Sequence, residues 1–139
     1  MLLRRPVRTV LMLTVLLTGL VRGQGNLLVV DDGPCPGKDH DSIQAAVDAA
    51  VDGDVILVRS SLDQPFAPFT ISGKDLVVVA VDPVRLQDDG PVRLLGNDPE
   101  RRTVLRGFEI PGGLDVHGHL GPVWIEDCRV IPTGQARPR

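Results

Sequence analysis

The stretch SIQAAVDAAVDGDVILV, Ser42 to Val58, changes character at Asp52-Gly53: alanines dominate before the break and branched aliphatics after it. Asp41 stands where a helix N-cap is needed. Gln44, three residues on, is spaced to reach back to the cap's backbone N–H, a capping-box arrangement. Ile43, Ala46, Val47, Ala50 and Val51 recur at helical spacing and form one apolar stripe, while Gln44, Asp48 and Asp52 fall elsewhere. This pattern predicts a cap helix near residues 42–52, ended by Gly53 in the left-handed conformation. Asp54-Val55-Ile56-Leu57-Val58 then reads as a strand with no alternating polar face, covered on both sides. A helix this short is not stable alone, so its stripe must close over an apolar core.

The rest of the chain is expected to be β. Of its 139 residues 42% are hydrophobic but only 3% aromatic, so the core must be aliphatic. Its 15 glycines and 12 prolines are scattered, which separates many short elements by turns. Residues 1–23 stand apart: Arg4, Arg5 and Arg8 precede an apolar run from Val10 to Val21, and compact residues follow at Val21-Arg22-Gly23. They read as a cleaved secretory signal, the run being shorter than the roughly 20 apolar residues of a membrane span. Its removal leaves eleven basic side chains against eighteen acidic ones, a formal charge of −7. An acidic exported domain has no electrostatic case for nucleic acid or an anionic membrane as partner. The expected location is secreted, periplasmic or at the cell surface, with no integral membrane span after cleavage.

Short apolar strands follow the cap: Phe69-Thr70-Ile71, Leu76 to Val81, Val84-Arg85-Leu86, Val92-Arg93-Leu94, Val104 to Ile110, Leu114-Asp115-Val116 and Val123-Trp124-Ile125. Internal similarity points to stacked turns. Val84-Arg85-Leu86 echoes Val92-Arg93-Leu94, and Leu114 to His119 aligns with Val123 to Cys128, Leu114 over Val123 and His119 over Cys128. A repeated aliphatic-x-aliphatic unit with a polar or small corner is what a solenoid needs, since neighbouring coils bury together what one cannot bury alone.

Asp41 to Ala50 with Asp52 to Val58 resembles the cap helix and first coil of exported right-handed parallel β-helix proteins with the pectin-lyase-like fold. Phe69 to Val79 resembles the coil that follows, Thr103 to Ile110 is similar to the family's "vLrGltI" coil, and Leu114 to Val130 to further coil strands. The resemblance spans residues 27 to 131. It implies an all-β, right-handed parallel β-helix of about three to four coils over residues 24–131, with residues 132–139 as a flexible tail. The fold hosts lyases, hydrolases, epimerases and adhesins alike, so it does not by itself assign a function. Val123 to Cys128 resembles the "vWiDH" signature of pectate lyases, but Glu126 and Asp127 replace its acid and histidine. No counterpart of the calcium-binding aspartates or the catalytic arginine can be placed.

Several single residues have both a functional and a plainer role open to them. Arg93 and Arg106 can be nominated to stabilise a developing charge, yet solvated arginines on an outer face account for them. Asp115, His117 and His119, two apart on one strand, can converge on a metal, although His119 falls at the predicted corner. The acidic cluster Asp31, Asp32, Asp39 and Asp41 lacks the ordered spacing of a calcium loop and is explained by capping. Cys128 reads as a small buried hydrophobe and Cys35 as a loop thiol, with a disulfide between them as the other possibility.

No catalytic, cofactor-binding or metal-binding residue is therefore assigned, and no cofactor is expected. The reading is an exported non-catalytic module that recognises or scaffolds extracellular polysaccharide or another surface component. One alternative is a truncated or degenerate polysaccharide lyase or hydrolase. Another is a structural module that associates end to end, because the sequence marks one lid clearly and no second, and an open end invites edge pairing.

Overall fold

The computed structural model describes residues 25–131, apart from the side chains of Asn97 and His119. The expected leader, residues 1–23, and the tail, 132–139, lie outside the described residues. The elements in chain order are β1 (Leu27–Asp31), α1 (Ile43–Ala49), β2 (Val55–Arg59), β3 (Thr70–Ser72), β4 (Leu76–Arg85), β5 (Val92–Asn97), β6 (Thr103–Ile110), β7 (Leu114–His119), β8 (Val123–Glu126) and β9 (Arg129–Val130). Among the described residues the chain is mostly β with one short helix, and every strand pair is parallel. The larger sheet has the order β1-β2-β4-β6-β8, with β9 also against β6; the smaller has the order β3-β5-β7. From β2 to β8 the chain enters the two sheets alternately.

Parallel register lines up like residues across strands. Ile56, Val78 and Leu105 form one inward row of the larger sheet, and Ile71 and Leu94 form one of the smaller; all five are fully buried. The sheets share one aliphatic core, joined by an edge-on contact of Phe69 and Phe108 with ring centroids 6.0 Å apart. Each strand has a second, outward row. Val55, Val77, Val104 and Trp124 stand in register, as do Leu57, Val79, Arg106 and Glu126. This corrects the expectation that β2 is covered on both sides: Ile56 and Val58 are buried, while Val55 and Leu57 are half-buried. Outward aliphatics gain that partial cover from row mates one strand spacing, about 4.8 Å, away.

The predicted helix is present but shorter. Ser42, not Asp41, is the N-cap, its Oγ accepting from Ala45 N–H at 3.2 Å, while Asp41 pairs with Lys38. Ile43, Ala46, Val47 and Ala50 are buried, as the stripe requires. Val51 is 61% exposed, because Ala50 is already extended (φ −71°, ψ 148°). Gly53 does adopt positive φ, but beyond the helix end. The stop is imposed by Lys74, whose Nζ donates to the carbonyls of Val47, Asp48 and Ala50. Asp54 adds to it by accepting from Val51 N–H.

The internal alignments also need correction. Leu114 pairs with Val92 and Val123 with Thr103, so Leu114 and Val123 belong to different sheets and do not stack. The predicted strands Leu76 to Val81 and Val84 to Leu86 join into β4 across a register shift between Val79 and Val84, where Pro83 cannot donate to a ladder. The stacked repeat is longer, and it is marked by glycine. Gly73, just after β3, and Gly96 and Gly118, within β5 and β7, occupy equivalent register positions, each with positive φ (62°, 29° and 61°), a conformation that side chains resist.

Candidate functional site

The register shift in β4 shapes the candidate site. Five steps along β4, from Val79 to Val84, oppose two along β6, from Arg106 to Phe108. Ala80 keeps its register with Val58 and stays buried, while Val81 to Pro83 bulge outward and wall a groove of about 540 Å³ on the outer face of the larger sheet. Leu57 and Val79 floor it, Val81 and Pro83 form the ledge, and Arg106 and Asp127 the opposite rim. Gly107 permits the close fit: at φ +85° its missing Cβ would meet Ala80 Cβ and O at 3.2 Å.

The rim is charged and accessible. Arg106 Nε lies 3.2 Å from Asp127 Oδ2, with both side chains more than half exposed, so the pair is labile and its groups can turn to a ligand. Asp127 takes φ +50° at the corner after β8, which holds its carboxylate over the end of the groove. Trp124 shares the outward face of β8 with Glu126, one strand over from Arg106. It is the chain's only tryptophan and is 56% exposed, while Phe66, Phe69 and Phe108 are all buried. Its outward ring offers a flat apolar face with an N–H donor at its edge, which the three buried phenylalanines do not. The face thus combines a flat ring, an aliphatic floor, a guanidinium and carboxylates. No histidine, cysteine or lysine lines the groove, and the arrangement suits recognition by stacking and hydrogen bonding.

The other sequence candidates are dispersed. Arg93 is exposed on β5 of the smaller sheet, so it shares no site with Arg106. Asp115 and His117 do meet, Oδ1 to Nε2 at 2.7 Å, whereas the side chain of His119 lies outside the described residues. Among the described residues no group of three or more metal-ligating side chains comes together. Cys35 and Cys128 are both free; Cys35 follows β1 and Cys128 follows β8, at opposite edges of the larger sheet. Cys128 packs on the core, its Sγ 3.7 Å from Leu105 O.

The acidic cluster serves the fold. Asp31 is buried and accepts from Gly33 N–H, Ser61 N–H, Ser61 Oγ and Arg59 Nε. The Gly33 N–H foremost, outweighing burial and helped by Ser61 and Arg59, holds its carboxyl well below the usual carboxylate range. Asp32 is depressed as well: desolvation raises it, but Ser60 Oγ and the N–H groups of Leu62 and Gln64 together win. Asp39 accepts from Val29 N–H.

Fold and site together define a mostly β protein of short strands in parallel sheets, a shape compatible with a solenoid-like fold, with a groove on one outer face. No family model matches the chain, and none of the curated proteins or solved structures compared with it matches either. Among the described residues no helix is long and apolar enough to cross a membrane. The sequence assigns neither Trp124 nor Asp127 to a site, although both lie in the Val123 to Cys128 stretch that resembles the "vWiDH" signature; the outward place of Trp124 is signalled by its middle position in Val123-Trp124-Ile125, the x of an aliphatic-x-aliphatic strand.

Proposed function

We propose that this is an exported, non-catalytic module, built as a small right-handed parallel β-helix of three to four coils of the pectin-lyase-like kind, which binds extracellular carbohydrate on its outer groove. Alternation of the chain between two parallel sheets and the closure of one end by α1 support the coil reading. The binding reading rests on one observation: the only tryptophan stands exposed in the outward row of β8, two residues from Glu126, which is in register with Arg106 on the rim of the groove. Sugars present an apolar ring face and hydroxyls that pair with guanidinium and carboxylate, so indole, arginine and aspartate are matched to both.

Because Trp124 is the sole indole, its fluorescence reports the site directly. Titration with neutral and acidic polysaccharides should shift or quench the emission for the cognate polymer, and Trp124→Ala should abolish retardation on native gels containing it. An unchanged spectrum across the whole panel defeats the proposal. Release of ultraviolet-absorbing unsaturated products from a polyuronate with calcium would replace it with the lyase reading. Export is checked by the mass of the mature form, which should begin at Gln24.

A further inference from the structure

The chain holds three Asp-Gly steps, at Asp32-Gly33, Asp52-Gly53 and Asp89-Gly90. Such a step carries its own chemistry: the glycine's backbone nitrogen stands next to the aspartate carboxyl, and with no Cβ on the glycine little hinders the two from meeting. Their meeting needs freedom. The aspartate side chain must rotate onto the peptide nitrogen, and a carboxyl or an N–H held by other partners does not make that approach.

Hydrogen bonds hold two of the three steps. Asp32 accepts at Oδ2 from Ser60 Oγ and Gln64 N–H and at Oδ1 from Leu62 N–H, while Gly33 N–H donates to Asp31 Oδ1 at 2.9 Å. Asp52 Oδ1 accepts from Asp75 N–H at 2.9 Å, its Oδ2 lies 3.3 Å from Arg101 Nε, and Gly53 N–H donates to Asp75 O at 2.8 Å. The third step has none of this. It lies in the bend between Leu86 and β5 with Asp89 exposed, and among the described residues neither the Asp89 carboxylate nor the Gly90 N–H has a hydrogen-bond or ion-pair partner.

We infer that Asp89-Gly90 is a site of spontaneous backbone isomerisation, and that the isomer weakens the hold of β5 on β7. Gly90 N attacks Cγ of the protonated Asp89 carboxyl: the N–Cγ bond forms, the Cγ–OH bond breaks, and the hydroxyl leaves with the nitrogen's proton as water. The product is a succinimide ring. Water then adds to either of its carbonyls. Opening at Cγ restores aspartate, whereas opening at the main-chain carbonyl carbon of Asp89 leaves the chain running through Cβ and Cγ, with a free α-carboxylate. Nothing is oxidised or reduced, and water is the only co-reactant. The isomer lengthens the main chain by one carbon where backbones are tightly packed. The Gly90 peptide lies against Gly112, at which a Cβ would stand 1.9 Å from Gly90 O. Two residues on, Val92 N–H donates to Gly113 O at 3.0 Å, where the pairing with β7 begins. Displacing the Gly90 peptide disturbs that contact and loosens this bond.

Trypsin leaves each step in a peptide of its own, Asp89-Gly90 in residues 86–93, so peptide mapping tests the assignment. The full chain is kept folded in mildly acidic buffer made with heavy-oxygen water, then digested in ordinary water. Oxygen label and isoaspartate are expected in peptide 86–93 alone, the first read by mass and the second by methyl transfer from labelled S-adenosylmethionine with an isoaspartyl methyltransferase. The same chain unfolded in guanidinium should isomerise at all three steps. A folded chain with no isoaspartate in peptide 86–93, or with as much at Asp32 or Asp52, overturns the assignment. Gly90→Ala, whose Cβ would meet nothing within 4 Å, should fold as the parent does and isomerise severalfold more slowly; an unchanged rate also overturns it. The separated isomer should melt below the parent and lose hydrogen-exchange protection first at Val92, and equal melting and protection would overturn the weakening of β5.

Discussion

Gln44 shows how one side chain stands in for a strand. Its carboxamide offers Thr70 an acceptor and a donor, the same pair of groups that a neighbouring backbone would present. Without it, the part-buried N–H and C=O of Thr70 lose their partners. Gln44→Ala should therefore cost about 1–3 kcal/mol by denaturant unfolding, the usual penalty for unsatisfied buried polar groups. Gln44→Glu tests the pairing more narrowly, since a carboxylate still accepts from Thr70 N–H but cannot donate to Thr70 O, and it should fall between the two. The sequence offered Gln44 as half of a capping box. Its true partner lies 26 residues away, a relation that local spacing cannot reveal.

At the scale of the element, α1 is the clearest case of local signal meeting tertiary constraint. Its existence, its buried positions Ile43, Ala46, Val47 and Ala50, and the strand after it were all legible, because helical periodicity survives any context. Its end was not. Lys74 places a cation on three terminal carbonyls, where the helix dipole is negative, and so halts the helix before Val51. Lys74→Met keeps the stem and removes the charge; it should lower stability by about 1.5–3 kcal/mol, the range for hydrogen bonds to a charged group. Hydrogen exchange should show the loss first in α1, and unchanged protection there would contradict this role. β4 teaches the same lesson: Leu76 to Val81 and Val84 to Leu86 read as two strands in sequence, and only pairing with β6 reveals one strand with a bulge that walls the groove.

For the whole molecule, acid should loosen the β1 edge of the larger sheet first. Asp31 and Asp32 both have folded-state affinities for protons below that of an ordinary aspartate near pH 4. Their ionised forms thus favour the fold, and that contribution is complete above the ordinary value and declines as pH falls toward the folded values. Melting temperature should drop as pH is lowered below about 4. The Asp31→Asn, Asp32→Asn variant should be less stable at neutral pH yet show a flatter acid limb; an equally steep limb would place the acid-sensitive groups elsewhere. Both carboxylates tie β1 to the loop after β2, from Ser60 to Gln64, so their protonation loosens the edge of the larger sheet that lies nearest α1.

By itself the sequence determined the aliphatic core, the short strands, the cap helix α1 and its buried stripe, because each is written in side-chain periodicity within a few residues. Register, sheet membership, the bulge at Val81 to Pro83 and the pairing of Arg106 with Asp127 were decided only by the tertiary structure. They depend on which strand lies beside which, and parallel pairing joins residues some twenty or more positions apart, too far for any local pattern to carry. The same distance explains why Leu114 and Val123 looked alike in sequence yet stand in different sheets.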